Sequence, residues 1–209
     1  LISEKLGVKR LKTGHAGTLD PLATGVLILC TGKATKRIEE LQNHTKEYVA
    51  TLKLGATTPS FDMEHPIDAT YPTAHITMET IEQVLKNFIG EIKQIPPAYS
   101  ACKVDGKRAY KMMRKGEEVN LKEKTLRIDE IEVISFDKDQ MQLTLRVVCS
   151  KGTYIRALAR DIGVALNSGA YLVELCRTRV GNTKIENCIT LDGFQDWLDK
   201  QDIEVYQPA

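Results

Sequence analysis

LRIDEIEVISF (126–136) and QLTLRVVC (142–149) decide the fold class of this chain. Both read as strands, consecutive in the chain and without a helical crossover between them. Working outward, EYVATLKL (47–54) alternates as a strand does, and further strands are expected at 25–30, 99–104 and 172–180. Helices are expected at 1–7 with Gly7 as the stop, at 34–42, at 154–167 and at 191–198. A further helix over 78–89 places Ile81, Leu85, Phe88 and Ile89 at helical spacing behind a Thr77 cap. Residues 55–75 carry Gly55, Pro59, Pro66 and Pro72 without periodicity and read as a long loop, a length at which loops tend to be functional or mobile. Consecutive strands without regular crossovers favour an α+β fold on a mainly antiparallel sheet flanked by helices and loops.

The composition narrows the class of function. Of 209 residues, 42% are apolar and 27% charged, a globular balance, and no apolar run approaches a membrane span. Five widely spaced cysteines without a CxxC pair point to reduced thiols and a cytoplasmic setting rather than a disulfide framework or zinc ribbon. The four histidines lack metal-ligand spacing, so no metal site is expected. Net charge is +1, but residues 103–127 hold nine Lys or Arg against four acids, a local excess of five. Such a patch suits a phosphate-rich partner, and equally a solvated charged face.

Four segments carry candidate chemistry. In GHAGTLDPLATG (14–25) a single acid, Asp20, lies among glycines and threonines. Pro21 pushes Asp20 toward extended backbone, and Gly14 and Gly17 permit tight turns or close approach of a ligand. A carboxylate presented at the mouth of a strand results; an Asx turn opening a strand is the plainer reading. In CSKGTYIR (149–156) the turn Lys151–Thr153 leads into a helix with Tyr154 and Arg156 in its first turn. An arginine there opposes the helix dipole, so it wants a carboxylate partner, a pairing that favours the ionised acid, unless it is simply exposed. PPAYSACKVDGKRAYKMMRKG (96–116) interleaves Tyr99 and Tyr110 with Lys103, Lys107, Arg108, Lys111, Arg114 and Lys115. That texture suits RNA backbone contact and base stacking, or a helix packing its Tyr and Met residues inward. KEY (46–48) opens a strand with Tyr48, an ordinary strand aromatic or a ring able to stack on a base.

Taken in order, GHAGTLDPLATGVL, GKATK, KEYVATLKLG, QIPPAYSACKVDGKRAY, CSKGTYIRALARDIG and ELCRTRVG resemble the B-type pseudouridine synthase family over nearly the whole chain. Bacterial members isomerise the T-loop uridine at tRNA position 55; archaeal and eukaryotic relatives are guided by RNA. The resemblance implies the pseudouridine synthase fold, a single catalytic domain over 1–209, no cofactor, tRNA through its T stem-loop as partner, no membrane, and a monomer. It also assigns residues: Asp20 as catalytic aspartate, Arg156 as its partner, Tyr48 as the ring stacking on the target uracil, Leu175 as pocket wall, and His15 as a holder of flipped-out bases. Lys36 and Tyr154 become pocket or RNA contacts, and Asp62 a substrate-side residue in TTPSFD, where Pro59 replaces the first acid of the family pattern; for an RNA substrate, the basic texture of 96–116 makes Lys103, Lys107, Arg108 and Arg114 the RNA-binding patch. The family's Lys-Pro-Gly strand has no counterpart before Leu1, and its frequent C-terminal PUA domain none after Trp197, so an N-terminal strand is expected to be missing and a complete PUA domain absent. Two rivals remain: an inactive RNA-binding or tRNA-chaperone protein of the same fold, and an aspartyl-phosphate enzyme needing magnesium and further acids near the turn.

Overall fold

The computed structural model describes residues 1–202 other than 8, 101, 105, 106, 114 and 116–118, and for 103, 104, 107, 108, 110 and 111 the backbone alone. The chain begins with helix α1 (Ile2–Lys5) and strands β1 (Thr13–His15), β2 (Ala23–Gly25) and β3 (Leu29–Thr31). A 3-10 segment, Gly32–Arg37, runs into α2 (Ile38–Gln42), followed by β4 (Lys46–Leu54) and the short strands β5 (Ala56–Thr57) and β6 (Ala69–Thr70). Next come α3 (Met78–Leu85), β7 (Gly90–Gln94), β8 (Lys103–Val104), β9 (Lys107–Arg108) and α4 (Ala109–Met113). The last elements are β10 (Lys124–Asp137), β11 (Gln142–Cys149), α5 (Ile155–Ala165), β12 (Ala170–Val180), β13 (Thr183–Lys184) and α6 (Phe194–Asp199).

The main sheet runs β13-β12-β4-β11-β10-β7, with β2 added to β12. Its pairings are antiparallel except β2 with β12, so the sheet is mixed and mainly antiparallel. β4 lies between β11 and β12, which buries most of its length. Tyr48, Ala50, Leu52 and Leu54 join Leu143, Leu145 and Val147 of β11 and Leu172 and Leu175 of β12 in the core. Helix α5 covers that face with Ile155, Leu158 and Ile162, and α3 adds Ile81 and Leu85. On the other face polar side chains pair across strands. Glu47 bonds Arg146, Arg179 and Thr178; burial alone would raise its pKa, but the hydrogen bonds from Thr178 and Arg146 hold it below the ordinary carboxylate value.

A local signal explains where α3 begins. Thr77 and Thr80 form a reciprocal cap, Thr80 N donating to Thr77 Oγ1 at 3.2 Å and Thr77 N to Thr80 Oγ1 at 2.9 Å. Helix α5 has no cap from its own sequence neighbourhood. Gln94, at the end of β7, supplies one from sixty residues away: Tyr154 N donates to Gln94 Oε1 at 2.9 Å and Gln94 Nε2 to Tyr154 O at 3.2 Å.

Two expected strands are corrected. Residues 25–30 are not one buried strand. Gly25 ends β2 at φ +99°, and β3 pairs with β1 in a small separate hairpin that leaves Leu29 65% exposed. Apolar composition misled there because the run alternates: Val26 and Cys30 are buried, whereas Leu27 and Leu29 face outward. Of the described residues in 99–104 only Lys103 and Val104 form a strand; the edge strand of this region is β7, whose sequence GEIKQ lacks a long apolar run. The 55–75 segment is pinned to the region where α5 meets β12. Gly55 N donates to Gly169 O at 2.8 Å, Leu172 N to Phe61 O at 2.9 Å and Ser168 Oγ to Pro72 O at 2.9 Å.

Candidate active site

A cleft of about 780 Å³ opens where the Asp20 turn, the start of β4, the end of β11, the beginning of α5 and β12 converge. Asp20, Tyr48, Tyr154, Leu175 and Arg177 line it, together with Lys46, Lys124 and Lys151. Its volume is that of a small-molecule site, for which roughly 300–1,000 Å³ is usual.

The turn is aimed by strand pairing. β2 lies parallel to β12 with Ala23 opposite Leu175, Thr24 opposite Cys176 and Gly25 opposite Arg177. A Cβ on Gly25 would stand 2.2 Å from the Arg177 carbonyl oxygen, so glycine alone permits this approach. Ala23 N donates to Asp20 O at 2.9 Å and closes the turn on itself.

Arg156 reaches Asp20 from the first turn of α5. Its Nε donates to Asp20 Oδ2 at 2.8 Å and its Nη2 to Asp20 Oδ1 at 3.0 Å, a bidentate pair. The guanidinium is 3% exposed, whereas the Asp20 side chain keeps 32% of its surface open toward the cleft. Arg156 Nη1 donates to Ser60 O at 3.2 Å and lies 3.5 Å from Asp62 Oδ2. One guanidinium thus joins two carboxylates, one facing the cleft and one behind. Asp62 is therefore not a cleft residue, contrary to its expected substrate-side place. It is buried beside Arg156 and accepts from Glu64 N at 3.0 Å, because the 55–75 segment folds under the arginine rather than over the cleft.

The other expected residues divide by position. Tyr48 and Leu175 are buried and line the cleft, and Tyr154 lines it from the α5 N-cap. Burial pushes the phenols of Tyr48 and Tyr154 above the ordinary value, so both stay neutral well into alkaline solution. His15 is exposed on the β1–β3 hairpin and Lys36 on the 3-10 segment after β3; neither is part of the cleft wall. Lys103, Lys107 and Arg108 lie on the β8–β9 pair; their side chains and Arg114 fall outside the described residues.

Three residues were missed. Gln94 orients Tyr154, as above. Lys46 is buried at the cleft, its Nζ donating to Gln42 O and to His44 O at 2.7 Å; burial, then the charge of Arg177, lowers its pKa. Arg177 is buried between β12 and the Asp20 turn. A signal for both was present. Lys46 shares strand parity with Tyr48, Ala50 and Leu52, and Arg177 with Leu175, so each is a cation on a core-facing row.

Among the described residues no group of three or more His, Cys, Asp or Glu is arranged to hold a metal, and no helix is long and apolar enough to cross a membrane.

The chain matches two family models, TruB family pseudouridylate synthase (N-terminal domain) over residues 4–155 and tRNA pseudouridylate synthase B C-terminal domain over 156–207. It is 68% identical over 203 residues to tRNA pseudouridine synthase B of Phocaeicola vulgatus, covering 97% of this chain and 86% of that protein. It is 67% identical over 205 residues to the same-named protein of Bacteroides thetaiotaomicron, covering 97% and 85%. Among solved structures it is similar to a chain of a Cbf5-Nop10-Gar1 complex, with TM-score 0.70 and 34% identity, over 97% of this chain and 51% of that one. The two matched spans meet between Ile155 and Arg156, so the Asp20–Arg156 pair joins them, and the main sheet takes strands from both.

Proposed function

This chain belongs to the TruB family of pseudouridylate synthases and is an enzyme of that class, and from that premise we propose that it converts the T-loop uridine at position 55 of tRNA to pseudouridine, with Asp20 as the catalytic carboxylate. The observation that carries this reading is the bidentate pair between Asp20 and a buried Arg156 at the edge of a cleft walled by Tyr48 and Leu175.

The chemistry asks for that arrangement. The C1′–N1 bond breaks, the uracil turns, C1′ bonds to C5, the C5 proton leaves and N1 regains one. Atoms and electrons balance within the nucleoside, so no redox partner enters. A glycoside hydrolase uses two carboxylates, one of them to activate water or attack. Here the detached base is the next nucleophile, so one carboxylate acting at the ribose suffices if water is excluded. Asp62, behind Arg156, is not a second catalytic acid in this scheme; it holds the guanidinium that holds Asp20. Tyr48 packs the base face with a neutral phenol, and Leu175 keeps solvent out. Reaching the uridine requires unstacking it, at a few kcal/mol. Phosphate contacts from Lys103, Lys107, Arg108 and Arg114, together with Lys36, offset that step, while His15 on its exposed hairpin meets the bases beside the extruded one. All of these residues come from one copy of the chain.

The test is an unmodified T-arm hairpin carrying 5-tritiated uridine, incubated with wild type and with Asp20→Asn. Wild type releases tritium and marks position 55 in carbodiimide primer extension. Asp20→Asn binds the hairpin within a few-fold of wild type and releases none. Tritium release by that variant, or a mark at another position, would overturn the reading.

A further inference from the structure

We propose that Arg177 is a positioning residue that sets where Asp20 stands in the cleft, by stapling both ends of the turn that carries it; the inference rests on the reading of Asp20 above.

The contacts run to both sides of the acid. On the N-terminal side, Arg177 Nη2 donates to Gly17 O at 3.2 Å and Nη1 to Thr18 O at 3.4 Å. On the C-terminal side, Nε donates to Val26 O at 2.7 Å. The backbone of the same residue adds a fourth bond, Val26 N donating to Arg177 O at 2.8 Å. Asp20 lies between these anchor points, so one side chain fixes the width of the loop that presents it.

The environment argues for a positional task. Arg177 is 2% exposed, and among the described residues it has no carboxylate partner. Burying a guanidinium against neutral acceptors only, three backbone carbonyls and the Tyr48 phenol, is a poor way to gain stability. An apolar side chain would fill the space without that penalty, but would leave the Gly17, Thr18 and Val26 carbonyls without their side-chain donors. Lysine would not substitute, because its compact ammonium lacks the planar fork that serves three divergent acceptors.

The staple also couples the acid to the rest of the wall. Arg177 pairs with Tyr48 in the β12–β4 register, and Leu175 lies two residues earlier on the same strand. Whatever moves this end of β12 moves the Asp20 turn, Tyr48 and Leu175 together. A misplacement of the acid by about 1 Å is enough to lower a rate on the order of 10²-fold.

The experiment compares Arg177→Lys and Arg177→Met with wild type and Asp20→Asn on the tritiated hairpin. Single-turnover rate, hairpin Kd and the folded fraction by circular dichroism are read for each. The expected result is a rate per folded molecule lowered on the order of 10²-fold in both Arg177 variants, with Kd within about threefold and no rescue by lysine. A wild-type rate per folded molecule in either variant overturns the proposal, since the residue would then be structural or a simple charge. A Kd weakened as much as the rate also overturns it, because Arg177 would then contact substrate. If Arg177→Met does not fold, the lysine variant alone decides by the same criteria. Turnover by Asp20→Asn removes the premise instead, an outcome distinguishable from inert Asp20→Asn beside fully active Arg177 variants.

Discussion

Replacing Arg156 with methionine separates what the ion network does for stability from what it does for chemistry. The guanidinium and the Asp62 side chain are each 3% exposed, while Asp20 is 32% exposed. Removing one member of a buried pair costs about 3–5 kcal/mol, mostly because the other charge is stranded. The Asp20 half is open to solvent and contributes no more than ~1 kcal/mol of this. Asp62 keeps one compensating bond, from Glu64 N at 3.0 Å, which places the total near the lower end. A loss of about 3 kcal/mol at roughly 2–4 °C per kcal/mol lowers Tm by about 6–12 °C for a chain of this size. Neutralising the stranded acid should reverse much of that: Arg156→Met/Asp62→Asn is expected to regain ~2 kcal/mol, about 4–8 °C. Neither variant should turn over the hairpin, since Asp20 loses its bidentate partner in both. Thermal melts followed by circular dichroism, with tritium release on the same samples, read both quantities. A single variant melting within about 2 °C of wild type, or a double variant melting no higher than the single, would refute the claim that a stranded Asp62 carries the cost.

Gly25→Ala is expected to detach β2 from β12, because the added Cβ meets a backbone oxygen at 2.2 Å at φ +99°. Stability should fall by more than ~1 kcal/mol and tritium release should be lost, whereas Gly7→Ala, with positive φ but nothing within 4 Å, should keep its activity. Burial pushes the Cys149 thiol from 9.0 up to about 12, so the native state holds a proton that the unfolded chain releases. Its contribution to stability is intact below pH 9 and is lost as pH rises toward about 12, at ~1.4 kcal/mol per pH unit. Melts of wild type should therefore fall more steeply between pH 9 and 10 than those of Cys149→Ala, and parallel curves would contradict the assignment.

The parts of this molecule that the sequence made legible are those whose cause is local. QLTLRVVC runs as β11 over the expected residues, Thr77 caps α3, and Arg156 sits in the first turn of α5 facing an acid, the partnered one of the two readings its unfavourable place in the helix dipole left open. The parts that stayed hidden depend on partners distant in sequence and chemically anonymous. The acceptors of Arg177 are backbone carbonyls of Gly17, Thr18 and Val26, and those of Lys46 are carbonyls of Gln42 and His44. A carbonyl is present at every residue, so no residue type announces the bond. Parity does. Along β4 the row Lys46, Tyr48, Ala50, Leu52 and Leu54 faces the core, and along β12 Leu175 and Arg177 share the matching row. Each row is apolar where α5 covers it and turns polar where it meets the cleft. A cation at core parity cannot face solvent, so it must have buried acceptors or a ligand. The same argument distinguishes the two arginines at the site: Arg156 balances acids, whereas Arg177 pairs with no acid among the described residues and donates to neutral groups, the carbonyls of the turn between Gly17 and Val26 and the Tyr48 phenol.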